Sequence, residues 1–354
     1  MNISTESPAS QTARQPTAEE REAATAMLRM IWGIHISRAI YVAVELGIAD
    51  RLAAGPLSSA ELAEGTQAHE PSLYRVLRLL ASLGVLAEGE HRSFGLTVLG
   101  DRLRSDVPAS MRSWAMLVEA IGGVRTFEPI IRTVRTGAPG VDLTYGMGLF
   151  EFLASHPEHA ASFDAAMSER TAAFAPGVAA SHDFTGLRTV VDVGGGKGTL
   201  LAAILQAHVR LRGVLVEAPA VAAAAGLGLK AAGLADRCEV VAGDFFAGVP
   251  DGADRYLLAN VLHDWDDDRA VAILAECRKA MDKDGRVLIV ERLIPDDPEQ
   301  ALPTLLSDLN MLIVTGGKER TNAEYGSLLT RAGLTLDRVT PVSFPYGLIE
   351  GIRS

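Results

Sequence analysis

The segment TVVDVGGGKGTLLAAILQAH, residues 189–208, places an apolar run of strand length directly before a glycine cluster and an apolar helical run. Glycines at such a junction lack a Cβ atom, so the backbone can turn sharply and approach a ligand closely. The spacing excludes a phosphate-binding P-loop, because Lys197 is followed by Gly198 rather than by Ser or Thr. It also misses the dinucleotide fingerprint G-x-G-x-x-G, since Gly194, Gly196 and Gly198 are spaced G-x-G-x-G. Alone, the segment predicts a strand, a tight turn and a helix.

Short apolar runs continue to alternate with helical runs through the rest of the chain. The five predicted strands are TVVDVGG (189–195), GVLVEAP (213–219), CEVVAGDFF (238–246), RYLLANVLHD (255–264) and GRVLIVERL (285–293). Continuous Val, Ile and Leu strands that alternate with helices are typical of a parallel sheet covered on both faces. A last helix, with a capping box of Thr321 and Glu324, precedes two late strands, 334–342 and 346–354. We predict a doubly wound, Rossmann-like α/β fold that binds ligands at the carboxyl ends of its strands.

The N-terminal part predicts helices and one hairpin instead. A helix capped near Ser58, a second helix over 71–82 and a hairpin over 85–97 follow in that order, as in a winged helix-turn-helix. One interpretation is a DNA-binding module that uses the second helix for recognition. The other is a helical scaffold or dimerisation unit, which we favour because the net charge is −11 and that helix offers only Arg75 and Arg78 to read bases. We expect no nucleic-acid partner.

Four regions follow from these patterns. They are a disordered tail over 1–20, a winged-helix dimerisation domain over 21–105, a helical connecting region over 106–180 and the Rossmann-like catalytic domain over 181–354. The connecting region gathers many large apolar residues: Trp114, Met116, Phe127, Phe150, Phe152, Phe163, Met167 and Phe174. Most such residues pack in cores, but a chain with 5% aromatic residues that gathers them between two domains also predicts an apolar pocket.

The composition indicates a folded protein of a reducing compartment. With 354 residues and 48% hydrophobic content, the chain can form sizeable cores. Its two cysteines, Cys238 and Cys277, are too few for a disulfide framework or a cysteine-based zinc site. The polar first residues lack the apolar core of a signal peptide, and no run reaches the ~18 apolar residues that a membrane span needs. We expect a cytoplasmic protein without a membrane partner.

Two acids lie at the carboxyl ends of the second and third predicted strands. Glu217 closes the second strand, where a carboxylate can accept both hydroxyls of a ribose. Asp244 and Phe245 close the third strand and offer a carboxylate for an adenine amine and an aromatic face for its ring. An isolated acid is usually a solvated loop residue, but the coincidence with the glycine turn predicts an adenosine pocket, which favours S-adenosylmethionine over NAD. The predicted cofactor contacts are Asp192, Gly194, Gly196, Glu217, Asp244 and Phe245.

The stretch NVLHDWDDDRA, residues 260–270, places His263 at the end of the fourth predicted strand. We predict no metal, because the flanking aspartates point in different directions and no second histidine recurs at zinc-ligand spacing. The acids from Asp266 onward start a helix, where carboxylates satisfy free amides. His263 is then left as a catalytic base, since an imidazole of pKa ~6.5 can take a proton from a phenol near neutral pH. Glu291 and Glu319 are acids that could orient it.

In this order, the motifs resemble the S-adenosylmethionine-dependent O-methyltransferases of the plant caffeate and isoflavone type and their bacterial natural-product relatives. The motifs are DVGGGKG, GDFF, HDWDDD, VLIVERLIP and GGKERT, and the resemblance covers nearly the whole chain after the tail. It implies a homodimer in which the N-terminal domain helps to close the active site of the other subunit. One position departs from the plant pattern, which has a cofactor-contacting lysine four residues before the histidine, where this chain has Ala259.

The resemblance also implies a role for each matched residue. The catalytic base falls on His263 and its two flanking acids fall on Glu291 and Glu319. The ribose acid, which is more often Asp in the plant enzymes, the adenine-side pair and the stacking tryptophan fall on Glu217, Asp244, Phe245 and Trp265. The stretch FDAAM is similar to the FNxAM stretch of the family, which makes Met167 a candidate substrate clamp. The predicted substrate contacts are Phe163, Met167, Asp308 and Met311.

We therefore expect an enzyme that methylates a hydroxyl of an aromatic small molecule, such as a phenolic secondary metabolite, at the expense of S-adenosylmethionine. Two alternatives stay open. One is a family member diverted to another reaction, against which the retention of His263, Glu291 and Glu319 argues. The other is a transcriptional regulator with a ligand-sensing α/β domain, which would have no use for a base with two orienting acids.

Overall fold

The computed structural model describes residues 14–108, 110–121 and 123–354. The chain divides into two compact units between Asp106 and Val107. Of the predicted tail, 1–20, residues 1–13 lie outside the described ranges, and a helix already begins at Ala18. Among the described helices no single one is long and apolar enough to cross a bilayer, and only the bent pair Ala18–Ile31 and Gly33–Glu45 together reaches that length and composition.

The N-terminal unit is mainly helical and has a small antiparallel sheet. Its helices are α1 (Ala18–Ile31), α2 (Gly33–Glu45), α3 (Ile48–Arg51), α4 (Ser59–Thr66), α5 (Glu70–Ser82) and α6 (Val98–Asp101), and its strands are β1 (Leu57–Ser58), β2 (Leu86–Glu88) and β3 (Ser93–Leu96). Ser58 caps α4 in a capping box with Glu61. β3 pairs with both β1 and β2, over a core that includes Leu77 and Phe94. Two helices and a hairpin therefore follow in the predicted order.

The C-terminal unit begins with a group of helices and continues as alternating strands and helices. Its helices are α7 (Arg112–Ala120), α8 (Ile130–Thr136), α9 (Gly140–Tyr145), α10 (Leu149–Ser155), α11 (Pro157–Ser181), α12 (Thr199–Ala207), α13 (Pro219–Ala231), α14 (Asp267–Ala280), α15 (Pro298–Val314) and α16 (Asn322–Arg331). Its strands are β4 (Thr189–Val193), β5 (Arg212–Glu217), β6 (Cys238–Ala242), β7 (Arg255–Ala259), β8 (Arg286–Arg292), β9 (Leu334–Ser343) and β10 (Tyr346–Arg353).

The described strands of this unit form one sheet in the order β6-β5-β4-β7-β8-β10-β9. The first five are parallel, whereas β10 runs antiparallel to both β8 and β9. The predicted doubly wound α/β class is confirmed. Because the chain order proceeds outward from β4 in both directions, the switch point lies between β4 and β7, and loops from their carboxyl ends meet there.

Both faces of the sheet are covered. Val190 and Leu257 pack in one apolar cluster, and their neighbours Val191 and Leu258 pack in the other. Successive strand residues point to opposite faces, so a strand buried on both sides must be apolar throughout. This is why the sequence shows continuous Val, Ile and Leu runs rather than alternation.

The strand that leads to His263 is shorter than predicted. β7 ends at Ala259, Asn260 adopts a left-handed conformation (φ 53°), and His263 lies in a 3₁₀ turn over 262–264. The last sheet bond runs from the N–H of Asn260 to the carbonyl of Val290, at 3.0 Å. His263 therefore lies beyond the sheet edge rather than on it.

Other predicted strands also extend beyond the observed ones, and one helix was not predicted. β6 ends at Ala242, so Asp244 lies in the following loop rather than on the strand. Helix α15 was not predicted from the sequence, although Asp297 caps its first turn and Pro298 occupies a helix-compatible position. Pro303 inside the segment and large apolar residues on its exposed face hide the usual amphipathic pattern.

Candidate active site

Glu291 fixes the turn that carries His263. It is fully buried near the end of β8, which is the neighbour of β7 in the sheet. Its Oε1 atom accepts hydrogen bonds from the backbone N–H groups of Val261, Leu262 and His263 at 3.0, 2.9 and 3.3 Å. These N–H groups lie beyond the end of β7. The carboxylate of Glu291 therefore accepts the hydrogen bonds that the carbonyls of a neighbouring strand would accept inside the sheet. The sequence predicted an acid that orients the imidazole, and the structure adds this contact with the backbone.

The imidazole of His263 is buried and faces acids on both of its nitrogens. Its Nδ1 lies 3.2 Å from Glu319 Oε1, within hydrogen-bond distance, and 3.6 Å from Glu291 Oε2, which is too long for a hydrogen bond. Its Nε2 lies 3.7 Å from Asp264 Oδ1. The structure brings together His263, Glu291 and Glu319, and it makes Glu319 the direct partner of the ring.

These acids set the protonation state of the cluster. Burial lowers the pKa of His263, but the charges of Glu291 and Asp264 and the hydrogen bond with Glu319 outweigh it and raise that pKa to about 9. Burial alone would raise the pKa of Glu319, yet its hydrogen bond with His263 holds it below the ordinary value. Burial raises the pKa of Glu291 to about 7. At neutral pH the ring and Glu319 therefore form an imidazolium–carboxylate pair.

Helix α15 and the loop after it hold Glu319 in place. Ser307 Oγ donates to Glu319 Oε1 at 2.7 Å, and the backbone N–H of Glu319 donates to Asp308 Oδ1 at 2.9 Å. Asp308 was predicted as a substrate contact, but it does not line the cavity described below. Its observed contact is with the backbone of the acid that binds His263.

The glycine turn projects from β4 at the switch point. Gly194 has φ 70° and Gly196 has φ 56°, values that favour glycine because a side chain would be strained there. Glu217, at the end of β5, spans this turn: its Oε2 accepts from Gly196 N at 2.9 Å and its Oε1 accepts from Ala218 N at 2.8 Å. Burial raises the pKa of Glu217. Its carboxylate is held at the carboxyl edge, where the sequence predicted a ribose contact.

Asp192 lies below the glycine turn, and no cationic side chain of the described residues forms an ion pair with it. It is 1% exposed, and neither carboxylate oxygen has a hydrogen-bond partner among the described residues. Burial and the neighbouring charge of Glu217 raise its pKa to about 7. A buried, unpartnered carboxylate that lines a cavity is well suited to a ligand cation.

The third predicted contact group surrounds Trp265. Asp244 is exposed, and its Oδ1 accepts from Phe246 N at 2.9 Å. The ring of Trp265 lies 5.0 Å from that of Phe246 and 6.4 Å from that of Phe245. Arg269 places its guanidinium 4.3 Å from the centre of the Trp265 ring. Together they form an aromatic wall beside Asp244, in which the sequence did not predict Phe246 or Arg269.

A cavity of about 1040 Å³ connects these groups. Its lining includes His263, the glycine turn, Glu217, Asp244 and Trp265. Three predicted substrate contacts, Phe163, Met167 and Met311, line it as well, together with Trp114 and Phe150. Of the other apolar residues noted in the connecting region, Phe152 and Phe174 pack in apolar cores and Phe127 is exposed. The aromatic concentration therefore serves both the pocket and the core.

Sequence reasoning missed Arg170 in the cavity lining. Its Nε is buried without a partner in the described part of the chain, and its guanidinium lies 5.9 Å from the centre of the Trp114 ring. Arg170 stands on α11, seven residues after Phe163 and three after Met167, a spacing that places all three on one helix face. That spacing could have identified it. Asn310 and Asp164 also line the cavity and were not predicted.

The three central side chains also have the spacing of a small metal site. His263, Glu291 and Glu319 each offer a ligand atom, and these atoms lie within 4.8 Å of one another. The sequence predicted no metal. The hydrogen bond between His263 and Glu319 accounts for their proximity, and an assay after treatment with a chelator would test the prediction.

Family comparisons match both units. An O-methyltransferase domain matches residues 127–335, and an O-methyltransferase dimerisation domain matches residues 28–106. The chain is 41% identical to the phenazine O-methyltransferase PhzM of Lysobacter antibioticus, over 92% of this chain and 94% of that protein. It is 41% identical to the mitomycin biosynthesis 6-O-methyltransferase of Streptomyces lavendulae, over 96% and 98%. The aclacinomycin 10-hydroxylase RdmB of Streptomyces purpurascens is 37% identical over 95% and 91%.

Solved structures agree with this assignment. The mitomycin 7-O-methyltransferase MmcR superimposes with a TM-score of 0.90 at 41% identity, covering 96% of this chain and all 100% of that one. An O-methyltransferase from neocarzinostatin biosynthesis, solved with S-adenosylmethionine and 2-hydroxy-5-methyl naphthoic acid, superimposes with a TM-score of 0.80 at 39% identity, covering 90% and 96%. The fold, the site and both matched domains place this chain in the O-methyltransferase family, and it is an S-adenosylmethionine-dependent O-methyltransferase.

Proposed function

We propose that this enzyme methylates a hydroxyl of an aromatic natural product and that His263 is its general base. The observation that carries the proposal is a buried histidine in the wall of a cavity lined by aromatic side chains, with one nitrogen bonded to a buried acid. The cavity of about 1040 Å³ is large enough for a cofactor and a small aromatic acceptor together. The relatives named above carry phenazine and mitomycin in their names, which supports a flat, polycyclic acceptor.

The cofactor supplies, when bound, an electrophilic methyl group on a sulfonium. The residues present fit this group, because a glycine turn allows close approach and Asp192 presents two unpartnered oxygens. Glu217 would hold the ribose hydroxyls, and Asp244 with Phe245 would hold the adenine. Asp192 would pair with the cofactor ammonium, and Arg170 would pair with its carboxylate.

His263 performs the proton transfer in this account. Because Nδ1 is bonded to Glu319, Nε2 is the nitrogen available to an acceptor hydroxyl. The ring must first lose its extra proton, since the surrounding acids raise its pKa to about 9. Glu319 then stabilises the imidazolium that forms when the ring takes the hydroxyl proton. The apolar walls align the acceptor, so catalysis combines positioning with deprotonation.

The direct test compares His263→Ala with the wild-type enzyme on S-adenosylmethionine and a panel of aromatic hydroxyl compounds, scored by the mass of one added methyl. We expect turnover to fall by roughly 100-fold or more, because general base catalysis contributes that much. Cofactor affinity, measured by calorimetry, should stay near that of the wild type. His208→Ala, a half-buried histidine outside the cavity, is the matched control and should keep its turnover. Unchanged turnover in His263→Ala would refute the assigned base.

A second reaction deserves the same assay because one relative of 37% identity is a hydroxylase by name. A hydroxylase would add one oxygen atom to the acceptor, which requires an oxidant such as dioxygen together with a reductant, whereas a methyltransferase adds one methyl group and needs neither. The three-residue cluster around His263 favours methyl transfer. Mass spectrometry of the product separates the two reactions in one experiment.

We also propose a homodimer formed through the N-terminal unit. The matched dimerisation domain supports it, and α1 buries none of its residues within the described chain. Its large apolar residues Met27, Met30 and Ile31 are 58%, 73% and 66% exposed, and Trp32 follows at 53%. A second copy would cover them. The absence of a nucleic-acid partner and a cytoplasmic location remain predictions.

A further inference from the structure

Arg320 lies behind the turn that carries His263, outside the cavity lining, and is 0% exposed. Its guanidinium has five N–H donors, and five hydrogen bonds use them. Nη1 donates to the carbonyls of Leu262 and Lys318 at 3.0 and 3.2 Å. Nη2 donates to the carbonyl of Trp265 at 2.9 Å, and both Nη2 and Nε donate to Asp267 Oδ1 at 2.9 and 3.0 Å.

These bonds hold carbonyl groups of the turn whose N–H groups Glu291 binds. The carbonyls of Leu262 and Trp265 bracket His263 and Asp264 in sequence, so one planar cation binds both ends of the turn. Glu291 binds the N–H groups of the same turn with an anion. The turn is thus fixed between a carboxylate on its N–H side and a guanidinium on its carbonyl side.

The segment that carries Arg320 is itself anchored. The backbone N–H of Ile294 donates to the carbonyl of Arg320 at 3.1 Å, which ties the segment to the chain just after β8. Three consecutive residues then act on neighbouring groups. Lys318 Nζ lies 3.1 Å from Asp267 Oδ2, Glu319 binds the imidazole, and Arg320 binds the backbone behind it.

We propose that Arg320, locked by Asp267, is a positioning residue that holds the His263 turn so that the imidazole meets Glu319 on one side and the acceptor on the other. The inference rests on the proposed role of His263 as the base. Neither Arg320 nor Asp267 lines the cavity, so their effect must pass through the turn. A lysine cannot replace the arginine, because a single ammonium cannot reach both carbonyls and the carboxylate in one plane.

The test uses Arg320→Lys and Asp267→Asn, with Arg331→Lys as the matched control. Arg331 pairs with Asp268, the next residue of α14, but both side chains are exposed, at 44% and 89%. We expect kcat/KM of the two test variants to fall by about 10–100-fold, as a displacement near 1 Å would cause. The affinity for S-adenosylmethionine should change by no more than about 3-fold. Arg331→Lys should behave as the wild type.

A pH profile separates positioning from general destabilisation. A turn that releases His263 from its acids returns the pKa of the ring toward its ordinary value, so the rising limb of kcat/KM should move to lower pH in both test variants. If Arg320→Lys does not fold, Asp267→Asn alone tests the inference. The amide oxygen of the new side chain can still accept a hydrogen bond from Arg320, whereas the ion pair is lost. Folded variants with wild-type kcat/KM and an unmoved limb would overturn the inference. If His263→Ala keeps its turnover, the proposed base fails instead, which is a distinguishable result.

Discussion

Asp192 shows how one buried carboxylate links stability to cofactor binding. Its pKa is raised to about 7 in the folded protein, above the ordinary value of 3.8, so folding favours its neutral form. A group with a raised folded pKa contributes stability below its unfolded pKa and loses it as the pH rises through the folded pKa. The loss of folding stability caused by ionised Asp192 therefore grows between about pH 4 and pH 7 and stays constant above pH 7.

We predict that Asp192→Asn stabilises the empty enzyme at pH 8 by about 1–3 kcal/mol and has no such effect near pH 4. Denaturant unfolding at both pH values measures this. The same variant should bind S-adenosylmethionine about 10–100-fold more weakly at pH 8, because a charge-assisted bond is lost. Asp251→Asn, at an exposed acid, is the control and should change neither quantity. If Asp192→Asn is less stable than the wild type at pH 8 and binds S-adenosylmethionine with unchanged affinity, Asp192 is neither a destabilising buried charge nor a cofactor contact.

Among single residues, the sequence identified those whose role follows from their position at the end of a strand. Glu217 and Glu291 were identified because each closes an apolar strand, and strand ends meet at one edge of the sheet. Arg320 was missed because nothing in a sequence marks a charged side chain as buried; its burial results from tertiary packing, and charged residues are exposed by default. Arg170 is only half-buried, and its helical spacing to Phe163 and Met167 could have identified it.

At the scale of elements, the close approach of two loops makes a prediction. A Cβ atom on Gly317 would lie 2.0 Å from the carbonyl oxygen of His263, which leaves no room for a side chain. We expect Gly317→Ala to push the turn aside, to destabilise the fold by about 1–3 kcal/mol and to reduce turnover at least about 10-fold. Thermal unfolding and steady-state kinetics measure both effects.

Gly326 supplies the matched control for this prediction. It lies inside α16, and a Cβ atom there would meet nothing within 4 Å. Gly326→Ala should therefore be neutral or stabilising by up to about 1 kcal/mol, as expected for alanine in a helix. Equal behaviour of the two variants would mean that the turn tolerates the displacement.

Helices and strands were predicted well where the apolar pattern was regular. They were predicted less well where a side chain makes the hydrogen bonds that a neighbouring strand would make. The strands and the capped helix α16 were predicted from apolar runs and the Thr321 capping box. The end of β7 was wrong because Glu291, a side chain, takes over the role of a neighbouring strand. Helix α15 was missed because Pro303 interrupts its sequence and its apolar residues occupy an exposed face as well.

At the scale of the whole molecule, the exposed apolar residues of α1 predict association of two copies. Ile31→Asp should convert the dimer to a monomer in light scattering, because a charge would have to be buried in the interface. Val209→Asp is the control, since Val209 is 72% exposed in the C-terminal unit. It should leave the mass unchanged. A monomeric wild-type enzyme would contradict the proposed assembly.

The class of the fold and the family could be predicted from sequence because glycine turn, strand-end acids and His263 follow in a fixed order. The shape of the cavity could not, because it depends on how α7, α10, α11 and α15 pack around it. For the same reason the identity of the acceptor does not follow from spacing.

The role of His263 as the base is measured by the pH dependence of kcat/KM for the wild type and Glu319→Gln at saturating S-adenosylmethionine. The neutral imidazole is the active form, and the acids around His263 raise its pKa to about 9, so wild-type activity should rise with pH and level off near that value. Glu319→Gln removes a hydrogen-bonded charge that raises this pKa, so its rising limb should lie at lower pH. If kcat/KM rises at the same pH in both enzymes, the ionising group is the hydroxyl of the acceptor. If kcat/KM does not depend on pH, His263 is not the base.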